Sequence, residues 1–120
     1  KPESLSRLNQ IMHPRMYDVV KAQLEGYRRQ GVDVAVLEAP LLIEAGWSSL
    51  VDEVWVTVAS ESTVLRRLKE RTGLSQVESL ARIRSQLSLE ERIKHADVVI
   101  NNDGSLDELR ARVGELWRGL

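Results

Sequence analysis

Val32-Asp33-Val34-Ala35-Val36-Leu37-Glu38-Ala39-Pro40-Leu41-Leu42-Ile43-Glu44-Ala45-Gly46 is the stretch that decides the fold. Its apolar run, Val34 to Leu37, meets an acid at Glu38 and a proline-anchored turn at Pro40, then ends in Glu44. A run without polar alternation reads as a strand covered on both faces, as in a parallel sheet with helices on either side. In open sheets of that kind, ligands bind beyond the carboxyl ends of the strands. The spacing therefore places Glu38, Pro40 and Glu44 at or near the edge of a site.

Upstream of this stretch, Leu5, Leu8, Met12, Met16, Val19, Val20, Leu24 and Tyr27 recur at helical spacing. Pro14 removes a backbone donor and biases His13 away from helical dihedrals. The pattern predicts one short helix ending near Met12, a second starting at about Pro14, and a stop at Gly31. His13 then sits at a kink. It can be aimed at a ligand there or bonded to nearby backbone, and the local sequence favours the backbone.

Downstream, Gly46 to Leu50 reads as a loop or short helical turn, with Trp47 covering apolar surface. Glu53 to Ala59 is a second strand, rich in β-branched residues. Ser60 or Ser62 caps a helix running to Arg71, with Val64, Leu65 and Leu68 inward and Thr72-Gly73 as its end. Ser75 to Gln86 is a further helix whose apolar face is Val77, Leu80, Ala81 and Ile83. Ser88 starts another, with Glu91 placed as in a capping box. Val98 to Asn101 is a third strand, Asn102-Asp103-Gly104 a turn, and Ser105 caps a closing helix carrying Leu106, Leu109, Val113, Leu116 and Trp117. The order of strands and helices is that of an α/β fold with parallel pairing.

Composition narrows the class. With 120 residues, 42% of them hydrophobic, the chain has material for one domain at most. A net charge of −1 demands neither nucleic acid nor membrane as partner. Absence of cysteine excludes disulfides and thiolate metal sites, and fits a soluble domain of a reducing compartment such as the cytoplasm. His13 and His95, the two histidines, are far apart, and no side-chain metal site is expected.

Basic residues concentrate between Arg66 and Lys94. Arg67 and Arg71 are four apart and share a helix face, and two guanidinium forks suit the spread oxygens of a polyphosphate. An exposed face balanced by neighbouring glutamates is the alternative and, taken alone, the stronger reading. Glu38 can hold a water on Mg²⁺ or orient a hydroxyl, or simply be a solvated strand end. Asn101, Asn102 and Gly104 can contact a base or merely make a turn.

Taken in order, LNQIMHP at Leu8 to Pro14, APLLIE at Ala39 to Glu44, RRLKER at Arg66 to Arg71, Gln86, Arg92, and ADVVINNDGS at Ala96 to Ser105 resemble dephospho-CoA kinase. The resemblance runs from about Leu5 to the C-terminus. It implies transfer of the ATP γ-phosphoryl group to the 3′-hydroxyl of dephospho-CoA, with Mg²⁺, as the last step of CoA synthesis. The implied fold is similar to the nucleoside monophosphate kinases: a parallel core sheet with flanking helices, a helical substrate domain and a lid. On that resemblance, residues 1–31 belong to the substrate domain, 32–65 and 96–120 to the core, and 66–95 to the lid. His13, Glu38, Pro40, Leu41 and Glu44 fall on the acceptor side. Arg67, Arg71, Gln86 and Arg92 fall where the lid closes over phosphates, and Asn101, Asn102 and Gly104 beside the adenine.

One departure is large. The family's P-loop, G-x-x-x-x-G-K-[ST], does not occur in these 120 residues, and neither does the acid that the family uses as its base. The P-loop strand of such a fold lies between the strands at Val34 and Val54. The expectation is an incomplete kinase domain, inactive alone, in which those two strands pair directly, borrow a strand from another chain, or belong to a longer protein. Two further readings stay open: a non-catalytic nucleotide- or CoA-binding module, and a P-loop kinase relative with another small acceptor.

Overall fold

The computed structural model describes residues 2–85 and 87–120, with the side chains of Pro2, Asn9 and His13 outside the description. The chain divides into two compact units, Lys1–Asp52 and Glu53–Leu120.

The first unit is built on α1, Pro2–Arg29, a single helix of 28 residues with Pro14 inside it. This corrects the expected break. Proline at position 14 deprives the Gln10 carbonyl of its usual donor, but stopping and restarting would create two new ends, each with several unsatisfied backbone groups. Losing one bond is the smaller penalty. Glu3 in the first turn and Arg28 and Arg29 in the last complement the helix dipole. Gly31 ends the helix as expected. Its φ of 78° lets Gly31 N–H reach Arg28 O and Val32 N–H reach Tyr27 O, the paired bonds of a Schellman cap.

The segment that follows, 32–39, is not a strand. Val34 and Val36 are 40% and 78% exposed. Among the described residues the one sheet has two strands, so the expected strand at Val34 has no ladder partner and does not pair with the strand at Val54. An apolar run encodes a need for burial, whereas a strand also needs a neighbour for its N–H and C=O groups. From Pro40 the chain winds through one helical turn. Ala45 N–H donates to Leu41 O at 2.8 Å, and Gly46, at φ 76°, closes the turn through Gly46 N–H to Ile43 O and Trp47 N–H to Leu42 O. A 3₁₀ turn, Trp47–Leu50, ends the unit with Trp47 buried.

In the second unit, β1 (Trp55–Val58) and β2 (Val98–Asn101) form a parallel pair, Trp55 opposite Val98 and Val58 opposite Asn101. Parallel pairing requires a long crossover, supplied here by α2 (Glu61–Thr72), α3 (Gln76–Arg84) and α4 (Leu89–Lys94). The closing α5 (Leu106–Arg118) packs on β2, and α4 on β1. Val56 is registered with Val99, and Ile100 with Thr57, so the buried Val56 and Ile100 lie on opposite sheet faces. Each face is therefore covered at one point.

All four helices of this unit start alike. Ser60, Ser75, Ser88 and Ser105 each accept a backbone N–H three residues on, from Thr63, Glu78, Glu91 and Glu108. Gly73, at φ 68°, ends α2. The apolar face expected for α3 is only partly used: Leu80 and Ile83 are half-buried, but Val77 is 78% exposed and Ala81 is exposed. Ser79 is the most buried residue of α3, a helix that packs against α2.

Candidate functional site

Within the first unit, the middle of α1 and the Pro40–Trp47 turn enclose two adjoining hollows. The larger, about 360 Å³, is lined by Pro14, Tyr17, Asp18, Ala45, Gly46 and Trp47. The smaller, about 200 Å³, is lined by Met16, Ala39, Pro40, Leu41, Ala45 and Trp47 and is almost wholly apolar. Of the acceptor-side residues read from sequence, Pro40 and Leu41 thus reach a concave surface. Glu38 and Glu44 are exposed and line neither hollow. His13 lies on α1 next to Pro14, and its side chain falls outside the described residues, as does Gln86 altogether. Tyr17 and Asp18 were not legible as site residues. Their signal is their position, one turn past Pro14 on a helix that continues through it.

The second unit gathers its polar groups at the carboxyl end of the two strands, where ligands of open parallel sheets bind. Asn102 N–H donates to Val58 O at 2.7 Å, joining the two chain exits. Asp103 Oδ1 accepts from Ser60 N–H at 2.8 Å and from Ser60 Oγ at 3.1 Å. Asn101 Oδ1 accepts from Asp103 N–H at 2.8 Å, so this amide oxygen is spent on shaping its own loop. Asn102 is half-buried, whereas Gly104 is exposed, and a Cβ there would collide with the side-chain carboxylate of Glu108.

These contacts hold the Asp103 carboxyl below its ordinary value. The Ser60 backbone N–H contributes most, followed by the Thr63 hydroxyl; burial opposes them, and the Ser60 hydroxyl and the positive charge of Arg67 add the smallest contributions. Arg67 lies on α2, the helix whose cap, Ser60, is bonded to Asp103 of the loop after β2. Arg67 is half-buried and Arg71, one turn on, is exposed. Arg92 lies on α4, half-buried, with its Nε buried and without a hydrogen-bond partner. Asp103 was legible from sequence only as a turn residue, since its partner Ser60 lies 43 positions away.

Among the described residues, no three histidine, aspartate or glutamate side chains converge as a metal site. A divalent ion here would need phosphate oxygens and water for most of its ligands, which is magnesium's habit. No helix among the described residues is long and apolar enough to cross a membrane.

The family model described as Dephospho-CoA kinase matches residues 1–108. The chain belongs to the dephospho-CoA kinase family. It is 44% identical over 112 residues to the dephospho-CoA kinase of Dehalococcoides mccartyi, covering 93% of this chain and 57% of that protein. Against the dephospho-CoA kinase of Symbiobacterium thermophilum it is 47% identical over 111 residues, covering 92% and 46%. Two solved structures share the fold. A Thermus thermophilus protein aligns with all of this chain and 61% of its own, at TM-score 0.76 and 34% identity. A dephospho-CoA kinase from Campylobacter jejuni aligns with 99% of this chain and 61% of its own, at TM-score 0.63 and 27% identity. The chain spans about half the length of the curated relatives it matches. The likeness to these kinases establishes the family and the small parallel sheet with its helices as part of a P-loop-kinase-like fold.

Proposed function

We propose that these 120 residues supply the acceptor-side helix, part of the core sheet and the phosphate-closing segment of a dephospho-CoA kinase. The reaction is transfer of the ATP γ-phosphoryl group to the 3′-hydroxyl of dephospho-CoA, in the cytoplasm. Residues 1–31 serve the acceptor, with His13 among its binding residues, Pro40 and Leu41 on the concave surface and Glu38 and Glu44 at its margin. Residues 66–95 close over phosphates through Arg67, Arg71, Gln86 and Arg92, and residues 32–65 and 96–120 form the core. Asn101, Asn102 and Gly104 shape the adenine side, Asn101 by fixing the loop. Mg²⁺ enters with the nucleotide, held by phosphate and water.

What supports this reading is the joining of Ser60, Asn102 and Asp103 at the carboxyl end of a parallel strand pair, with Arg67 on the helix that Ser60 caps, in a member of this family. Phosphoryl transfer relies on positioning and on neutralising charge, and guanidinium groups beside such a sheet end provide both. The phosphate cradle is a separate matter. Without a G-x-x-x-x-G-K-[ST] loop in the 120 residues, the backbone donors and lysine that stabilise the transferring group come from sequence outside them. The exposed Val34 and Val36 fit the same picture, with this run pairing in the working enzyme against a strand that these residues do not include.

Acceptor selectivity tests the proposal. With the full-length natural protein and ATP, dephospho-CoA is expected to be phosphorylated at the 3′-position, while adenosine and other simple nucleosides compete weakly. Equal or better use of another small acceptor would assign the chain to a different P-loop kinase activity. Nucleotide binding without transfer to any acceptor would favour a binding module.

A further inference from the structure

The bonds around Asp103 do more than shape a turn. The loop leaving β1 and the loop leaving β2 are joined at two levels: backbone to backbone through Asn102 N–H and Val58 O, and side chain to helix start through Asp103 and Ser60. Ser60 is also the N-cap of α2, its hydroxyl accepting from Thr63 N–H and lying 2.9 Å from the Thr63 hydroxyl. The same α2 carries Arg67 two turns on. One carboxylate oxygen therefore takes both Ser60 protons and fixes where α2 begins relative to the loop that contains Asn102. Asn101 in turn fixes the Asp103 backbone from below, through its side-chain oxygen. The chain has assembled a relay from one strand end to the other, and Asp103 is its middle member.

We propose that Asp103 is a positioning residue for nucleotide binding: its two hydrogen bonds to Ser60 hold α2, and with it Arg67, in fixed relation to Asn102. This rests on the kinase reading above. Asp103 itself need not touch ATP. Its carboxylate is committed to Ser60, the cap of the helix that carries Arg67. The geometry separates the bond from the charge. Asp103→Asn keeps an acceptor oxygen for Ser60 N–H and loses the charge, whereas Asp103→Ala loses both. Neither change touches the β1–β2 ladder or the Asn102-to-Val58 bond, so the sheet remains.

The test is steady-state kinetics of the full-length natural protein with ATP and dephospho-CoA, for wild type, D103A, D103N, R67A and the D103A/R67A double variant. D103A is expected to raise the ATP KM about five- to tenfold, the loss of one to two net hydrogen bonds, with kcat within about twofold. D103N is expected to stay within about twofold of wild type in both parameters, because the acceptor is preserved. In the R67A background, D103A is expected to add little, since a residue that acts by placing Arg67 has little to place once Arg67 is gone. Thermal unfolding of each variant accompanies the kinetics, so that loss of fold is read separately from loss of ATP affinity. An unchanged ATP KM in a folded D103A overturns the proposal. So does D103N behaving as badly as D103A, or D103A costing the same with and without Arg67. A wild-type protein without transfer to dephospho-CoA is a different failure, that of the kinase reading itself.

Discussion

Val34-Ala35-Val36-Leu37 and Val98-Val99-Ile100-Asn101 are both short apolar runs ending in a polar residue within one position, and both read as buried parallel strands. Only the second is one. Ile100 is 3% exposed and its neighbour across the ladder is Thr57, while Val36 is 78% exposed in a segment with no ladder. The contrast shows what an apolar run specifies. It specifies how much the chain gains by being covered, but coverage and pairing come from other segments, and those lie elsewhere in the sequence or outside these residues.

The largest effect expected from this contrast is at Ile100. Ile100→Ala should lower stability by about 2–5 kcal/mol, read as a denaturant midpoint, because it leaves a cavity beside the sheet. Val36→Ala in the same 120 residues should change stability by no more than about 0.5 kcal/mol. Comparable losses at the two positions would mean that 32–39 is covered after all. A second test sharpens the reading of the first unit. Pro14→Ala should raise the stability of α1 by up to about 3 kcal/mol, since the Gln10 carbonyl regains its donor and the helix loses its one interior proline. Increased helicity by circular dichroism without loss of fold is the expected result. A loss of stability would show that Pro14 is held by its contacts around the hollow it lines.

The smallest effect separates the units by pH. The carboxyl of Asp103 sits below its ordinary value of 3.8 in the folded chain, so the unfolded chain takes up that proton more readily. Its contribution is therefore fully present above the ordinary value and is lost as pH falls through the folded one. D103N should flatten the acid limb of stability in the second unit, and a steeper limb would contradict the assigned hydrogen bonds.

Local chemistry was the legible part. Ser60, Ser75, Ser88 and Ser105 declare their helices because a cap and the N–H it accepts lie three residues apart, and Gly31 and Gly73 end helices because few other residues take a positive φ. β2 could be bounded because Asn102-Asp103-Gly104 punctuates it on one side and α4 on the other. The continuity of α1 through Pro14 was hidden, since a local preference for a break competes with end effects summed along the helix. The Asp103–Ser60 contact was hidden for a different reason: the two residues are 43 apart, and only the parallel register brings their loops together. Of the site, the arginines on α2 and the turn after β2 were readable as separate features. Their link through Ser60 at the start of α2 was not.

The central claim is that these residues hold the acceptor-side and phosphate-closing parts of a dephospho-CoA kinase while the phosphate cradle lies outside them. The direct measurement is γ-phosphoryl transfer from ATP to dephospho-CoA, run side by side with the full-length natural protein and with the 120 residues alone. The expected result is 3′-phosphorylated product from the first and none from the second. Transfer by the 120 residues alone, or no transfer by the full-length protein, would contradict it.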